Sequence, residues 1–535
     1  MTAVELFSQH HEEMKTHDSQ SNFYRNLIPL ELPKEGEQYS FEVDLSACTG
    51  CKACVTACHS LNGLDENETW RQVGLLQGGT SEEPIQQTVT TACHHCLEPG
   101  CMQGCPTKAF EKDVITGIVR HLDDQCIGCQ YCILKCPYDV PQYNKSKGIV
   151  RKCDMCSDRL AEGEAPACVQ SCPNDAIKIA IVNQSKIAMI NSVQKLLPET
   201  PTDEDTSPTT QYIRKEALPT NALPADFFSS KPKDPHIPLV LGLILTQLSV
   251  GVYIGEWMST SSVFNPYLSA FALICALAAI AASTMHLGRP LYAFRAVLGF
   301  KTSWLSREIL AFGGFAFFAS LLTASHIMID SEKLFGKTLP FIDKITPYLD
   351  FIQFMAIGTG LVGVLCSVMI YHDTKKSLWN FYWTGPKFLL TTAILGTSTY
   401  LLISSNAAFY FETSIEMIRT MSSNLLSTII VLTALKLFYD ASLFLSLKDK
   451  VFSIEKRSSL MIIKELKKPA IVRVVSSLLG GIVLPIIFIS LATLTEHLHI
   501  FALLSFILLI IGEFSERYLF FRGIVTPNMP GAVVT

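Results

Sequence analysis

Sixteen of the chain's 18 cysteines fall between positions 48 and 172, in four spaced groups. The first is Cys48, Cys51, Cys54 and Cys58; the second is Cys93, Cys96, Cys101 and Cys105. The third is Cys126, Cys129, Cys132 and Cys136, and the fourth is Cys153, Cys156, Cys168 and Cys172. Proline follows the last cysteine in three groups, as Pro106, Pro137 and Pro173, while His59 takes that place in the first. Three thiolates set two apart on a turning loop can each reach one iron of a single cubane. The fourth leaves on the next helical segment, points elsewhere, and in two-cluster ferredoxins ligates the other cluster. Such groups work in pairs, so four of them imply four [4Fe–4S] clusters in two ferredoxin-like modules. Zinc is the alternative. Its sites use CxxC pairs with long spacers, and a tight triple of cysteines suits one tetrahedral ion poorly. Disulfides are weaker still, because residues 1–18 contain neither an apolar stretch nor a twin-arginine pair and do not read as a secretory signal. Cys275 and Cys366 sit inside apolar runs, as small buried side chains.

The elements that must position this chemistry divide the 535 residues into parts of opposite character. Residues 1–40 read as a polar lead-in. Residues 41–197 hold the cysteines in short Gly-, Pro- and Asp-rich segments. Residues 198–236 carry Pro198, Pro201, Pro208, Pro219, Pro224, Pro232 and Pro235, and read as a linker of repeated helix-breaking. From 237 to 535 come eight apolar runs, at 237–257, 266–285, 308–328, 349–371, 386–404, 422–441, 471–493 and 498–514. Each is near the roughly 20 residues needed to cross a bilayer as a helix. Trp257, Trp304, Trp379 and Trp383 lie at run ends, where an interfacial aromatic belt would place them. The expected fold is an α+β ferredoxin-like domain of two bis-[4Fe–4S] modules, followed by an all-α membrane bundle of about eight helices. A net charge of −5 gives no reason to expect nucleic acid.

The four-group array resembles the iron–sulfur subunits of the molybdopterin oxidoreductases, such as that of DMSO reductase, over residues 40–182. In that family the first group pairs with the fourth and the second with the third. The resemblance implies one cluster on Cys48, Cys51, Cys54 and Cys172, and another on Cys58, Cys153, Cys156 and Cys168. It implies a third on Cys93, Cys96, Cys101 and Cys136, and a fourth on Cys105, Cys126, Cys129 and Cys132. Some relatives replace a cysteine of the third group and bind a three-iron cluster; Cys132 is present here.

The membrane half is similar to the DMSO reductase anchor subunit. The motifs that carry this are PHIPLVL at 235–241, HLGRP at 286–290, SWLSRE at 303–308, and Gly512-Glu513 with Arg517-Tyr518-Leu519-Phe520. In the family these two parts are separate chains; here they are fused. The resemblance implies a quinol-oxidising anchor that feeds electrons to a separate molybdopterin-containing catalytic subunit. A polysulfide- or nitrite-reductase-type module, or quinone reduction in the reverse direction, is the rival within the same chemistry. A transporter or scaffold with sensory clusters is the rival from another class, and a sensor needs one labile cluster, not four.

Counting spans places the polar residues. With the cysteine domain on the near side, odd spans begin there and even spans end there. His286 follows span 2, and Arg307 and Glu308 open span 3, so all three lie on the near side and are the candidates for a menaquinol site. Tyr371, His372, Asp373, Asp440, Arg473, Glu513, Glu516 and Arg517 gather there too. Ionisable residues at membrane depth are functional candidates, whereas those at span ends also serve as interfacial anchors. Arg473 and Glu513 read as a structural ion pair, and Lys436 as either a snorkelling or a site residue. Span centres read as nearly free of charge, which gives no reason to expect a proton pump. Most Lys and Arg of the loops are near-side, against Lys333, Lys337, Lys344 and Arg419 on the far side. The positive-inside rule then puts the iron–sulfur domain in the cytoplasm of a bacterium, on a multi-pass protein of the inner membrane that draws on its lipid and quinone pool.

Overall fold

The computed structural model describes residues 25–192, 194–201, 205–229, 231–258, 264–332, 342–410, 415–491 and 497–531. Residues 1–24 of the lead-in, 202–204 of the expected linker, and Lys333 and Lys337 lie outside the described residues, as does the side chain of Arg419. The chain forms two units. One runs to Ser229 and includes the residues from Pro527 onward; the other is Ser230–Thr526.

The first unit is built from short strands and single-turn helices. Strand β1 (Glu37–Asp44) pairs antiparallel with β8 (Ile177–Asn183) and parallel with β9 (Gln211–Ile213). Strands β2 (Gln72–Gly79) and β3 (Pro84–Thr91) form a hairpin, extended by β10 (Leu223–Pro224). Two small hairpins, β4–β5 (Phe110–Lys112, Val119–His121) and β6–β7 (Gln142–Asn144, Ile149–Arg151), complete the frame. The unit's core is partly made of cysteines: Cys54, Cys58, Cys153 and Cys168 pack with Phe41, Trp70 and Ile177. A second cluster joins Cys105, Cys126 and Cys132 to Phe110, Val119 and Ile149.

The domain boundaries read from the sequence need correction. The lead-in's boundary at 40 cuts β1. The stretch expected as a linker at 198–236 is largely structural: it supplies β9 and β10, and Thr209 Oγ1 donates to His94 O at 2.8 Å. The last described residues, placed in the membrane domain at 237–535, belong to the first unit. Leu75 N donates to Gly531 O at 3.2 Å, and Met529 is buried with Leu76 and Val89. Proline ends helices but leaves carbonyls and neighbouring side chains free to bond, so a proline-rich stretch docks as readily as it spans.

Among the described residues the second unit has eight helices long and apolar enough to cross a membrane: Ile237–Met258, Asn265–Met285, Trp304–Ile329, Thr346–His372, Phe381–Ala407, Ser422–Lys448, Lys467–Ser490 and Leu498–Arg522. They are spans 1 to 8. Their apolar outer faces expose side chains such as Ile274, Phe354 and Val431, as contact with lipid requires. Inside, hydroxyls bond back along their own helices, for example Thr246 Oγ1 to Gly242 O at 2.9 Å, which satisfies them without water. Spans 1 and 5 meet backbone to backbone. A Cβ on Gly251 would stand 2.1 Å from Thr392 O, and one on Gly396 2.4 Å from Gly251 C. Trp379 departs from the expected interfacial belt: it is 2% exposed, and its indole N–H donates to Phe520 O at 3.1 Å.

Candidate metal centre and membrane site

The cysteine loops share a backbone. In the first group Gly50 (φ 73°) and Lys52 (φ 64°) flank Cys51; in the third Gly128 (φ 70°) and Gln130 (φ 61°) flank Cys129. Left-handed residues are costly unless glycine, and here they recur at matched positions where thiols must be aimed. The other two groups place His95 (φ 41°) and Met155 (φ 62°) just before their second cysteine. In the first and third groups a helix then starts at once, Ala53–Leu61 carrying Cys54 and Cys58, and Tyr131–Lys135 carrying Cys132.

These loops bring cysteines together across the sequence. Cys48, Cys51 and Cys54 share one cavity with Cys172. Cys93, Cys96 and Cys101 share another with Cys136. Cys58 has Cys168 and Cys156 as charge neighbours, and Cys132 has Cys129, Cys105 and Cys126. Cys153 neighbours both Cys93 and Cys58. Burial pushes the Cys58 and Cys101 thiols up to about 12 and that of Cys156 up to about 11. Buried thiols of this kind stay protonated unless a metal displaces the proton. Among the described residues no three Cys, His, Asp or Glu side chains converge as on a single ion.

Two cations within the cysteine core were not singled out from sequence. Arg71 is 2% exposed and lies in the field of Cys168, Cys54, Cys153 and Cys58. Its guanidinium stacks on Phe41 at 4.6 Å and donates to Thr90 Oγ1 at 3.3 Å, while Nη2 has no hydrogen bond. Lys152 is 3% exposed beside Cys93, Cys101 and Cys153, and its ammonium donates to the carbonyls of Val119 and Cys153. Buried cations need anionic partners; thiolates supply them. Lys152 was legible as the neighbour of Cys153, whereas Arg71 has no spacing signal.

In the membrane unit, a chain of ring contacts joins the regions of His286 and Glu308. His286 meets His236 at 5.3 Å, His236 meets Phe521 at 6.0 Å, and Phe521 meets Tyr371 at 5.7 Å. Tyr371 lies in the field of Glu308, whose carboxylate accepts the hydroxyl of Ser367. Burial, then the neighbouring His236, pulls His286 down to about 4, so its imidazole is neutral near pH 7. Arg307 holds the backbone of its own loop. It donates to Phe300 O at 3.1 Å and Lys301 O at 2.8 Å, and lies 4.3 Å over Trp304, clamping the loop before span 3. His372 Nδ1 accepts from Phe381 N at 3.2 Å and so caps span 5.

At the same end of the bundle lies a buried ionic network. Arg473 donates to Glu513 Oε1 at 2.7 Å and to Asp440 Oδ2 at 2.9 Å. The other oxygen of Glu513 takes the ammonium of Lys436 and the hydroxyl of Thr391. The ion pair of Arg473 with Glu513 is as expected, but Lys436 is fully buried and is no snorkeller. Arg517 Nη2 reaches Gln247 Oε1 at 3.1 Å. The opposite end holds Glu256 and His326, both buried, 3.0 Å apart. Tyr253 OH, beside them, bonds Ser269 O at 3.1 Å and Thr323 Oγ1 at 3.2 Å. Sequence reasoning passed over this pair, although both residues sit at the same end of apolar runs.

Comparison with known proteins covers both units. Residues 86–181 match a 4Fe–4S dicluster domain, and residues 234–523 match the family described as DMSO reductase anchor subunit. The chain is 39% identical over 155 residues to the B subunit of anaerobic dimethyl sulfoxide reductase from Escherichia coli, spanning 28% of this chain and 75% of that subunit. It is 35% identical over 176 residues to the corresponding subunit from Haemophilus influenzae, spanning 31% and 85%. With the thiosulfate reductase electron transfer subunit of Salmonella typhi it shares 39% identity over 153 residues, spanning 28% and 79%.

Proposed function

This chain belongs to the DMSO reductase anchor subunit family and carries an iron–sulfur electron-transfer domain on the same polypeptide, and from that premise we propose that it oxidises menaquinol in its membrane unit and delivers the electrons to a separate molybdopterin-containing catalytic subunit. Four [4Fe–4S] clusters supply the one-electron steps. The observation that carries this reading is the meeting of cysteines from distant groups: Cys172 lines a cavity with Cys48, Cys51 and Cys54, and Cys136 one with Cys93, Cys96 and Cys101. The remaining sets are Cys58, Cys153, Cys156 and Cys168, and Cys105, Cys126, Cys129 and Cys132. Arg71 and Lys152 hold compensating positive charge within this core. The protein purified without oxygen is expected to carry about sixteen irons and about sixteen acid-labile sulfides per chain, four of each per cubane. Stoichiometric zinc with little sulfide would sink the assignment.

At the quinol site, two hydroxyl protons need acceptors. His286 is neutral and, since burial and His236 disfavour its charged form, relays one onward rather than holding it; the Glu308 carboxylate, held by Ser367, takes the other. Arg307 fixes the loop that presents them. His286→Ala or Glu308→Gln is expected to slow menaquinol-dependent cluster reduction by about 10²-fold, a general acid–base contribution, with iron content unchanged. Stopped-flow visible absorbance reads the rate. Unchanged rates in both variants would take these residues out of the site.

The chain is a multi-pass membrane protein, and its loop charge supports an iron–sulfur unit facing the bacterial cytoplasm. A green fluorescent reporter joined after Thr535 is expected to fluoresce. An alkaline phosphatase joined there and found active would reverse the orientation.

A further inference from the structure

Spans 5, 6, 7 and 8 line a cavity open at one side, about 890 Å³ with its mouth included. Trp379, Trp383, Phe444 and Phe520 contribute flat aromatic walls, and Lys387, Asp440, Arg473 and Glu516 the polar side. Arg473 is fully engaged: Nε and Nη2 donate to Asp440 Oδ2 at 3.2 and 2.9 Å, and Nη1 to Glu513. Glu516 is not. It is 3% exposed, and neither carboxylate oxygen accepts a hydrogen bond. The cations nearest to it are Lys387, Lys436 and Arg517, at 3.6, 3.9 and 3.7 Å. Asp440 Oδ1 also lacks a hydrogen bond, with Lys387 at 3.4 Å.

A buried carboxylate without donors is costly, and each one calls for an explanation. What would satisfy Glu516 is a ligand that donates. The wall atoms left without a hydrogen bond are carboxylate oxygens of Glu516 and Asp440, so an anionic ligand would set like charges together in a buried place. The occupant must therefore carry no negative charge, donate hydrogen bonds, be planar enough to lie against indole and phenyl rings, and be apolar elsewhere. A hydroquinone on an apolar chain has all four properties.

We propose that this cavity is a second quinol-binding site, in which a ring hydroxyl donates to Glu516, apart from the site of His286 and Glu308. The inference rests on the reading of the chain as quinol-linked. The stacked pair of Trp379 and Phe520, 5.3 Å apart and 20° from parallel, walls the cavity and also touches Tyr371, at 5.2 and 5.0 Å. The two sites thus share an aromatic partition.

The test uses the complete purified complex, stripped of endogenous quinone, and a naphthoquinol whose decyl chain carries an alkyl diazirine, kept reduced by dithionite. Photolabelling followed by peptide mass spectrometry is expected to mark two regions, one near Glu308 and one within 379–387, with two equivalents bound. Leu437→Trp, which fills the cavity, is expected to abolish label in 379–387 and halve the stoichiometry, while label near Glu308 persists. Glu516→Gln keeps the shape and is expected to weaken binding at this site about tenfold, the loss of a charge-assisted hydrogen bond. Label confined to the Glu308 region, or a phospholipid retained in the cavity by native mass spectrometry, overturns the second site and leaves the first standing. No label at either region removes quinol binding from the chain altogether.

Discussion

Replacing Glu513 with glutamine is expected to destabilise the membrane unit by about 3–5 kcal/mol, the cost of breaking a buried ion pair from one side. The carboxylate is 1% exposed and sits between Lys436 and Arg473, themselves 0% and 4% exposed. Removing its charge leaves Lys436 with only the more distant carboxylate of Glu516, at 3.9 Å, to balance it. Asp440 still holds Arg473 at 2.9 Å, so the larger share falls on Lys436. Lys436→Met is expected to cost less, because Arg473 still neutralises Glu513. Adding Lys436→Met to Glu513→Gln should therefore restore part of the loss. Thermal unfolding in detergent, followed by tryptophan fluorescence, measures all three variants. Equal stability of Glu513→Gln and the parent would show that the network is not what holds spans 6, 7 and 8 together.

Cys172→Ser is expected to destroy the cluster proposed for Cys48, Cys51 and Cys54, and to spare the one proposed for Cys153, Cys156 and Cys168. The substituted residue is closer in sequence to the spared set, which makes the outcome discriminating. Cys172 lines the cavity of the first group, together with Thr90 and Asn174. A serine hydroxyl is a poor ligand for iron, so about a quarter of the iron should be lost. EPR of the dithionite-reduced protein, compared with Cys168→Ser, identifies the missing signal. If the two variants lose the same signal, the pairing of the first group with the fourth is wrong.

The eight spans and the sixteen cysteines were legible because each rests on local information. An apolar run long enough to cross a bilayer, or thiols set two and three apart, has no need of distant partners. What the sequence did not reveal depends on partners far along the chain. Strands β9 and β10 are three and two residues long, too short for an alternating pattern, and exist only because β1 and β2 offer them an edge. Arg71 is a single cation in a polar stretch, and its place among Cys54, Cys58, Cys153 and Cys168 appears only after folding. Trp379 stands at a span end like the other tryptophans, yet Phe520 from span 8 covers it. The charged network was visible as separate residues on spans 5 to 8, but not as one connected group. Glu256 and His326 became a pair only when spans 1 and 3 were packed together.

The contact of Gly251 with Gly396 bears on how the protein is made. Membrane helices enter the bilayer in the order of synthesis, and spans 2, 3 and 4 are all inserted before span 5 is translated. Until then span 1 is held by spans 2 and 3, through Tyr253 and Glu256, and lacks its closest contact at Gly251. Arrival of span 5 completes the packing of span 1, backbone against backbone. A ribosome that stalls between spans 4 and 5 leaves a four-helix fragment whose first helix is held by its neighbours and bare where span 5 belongs.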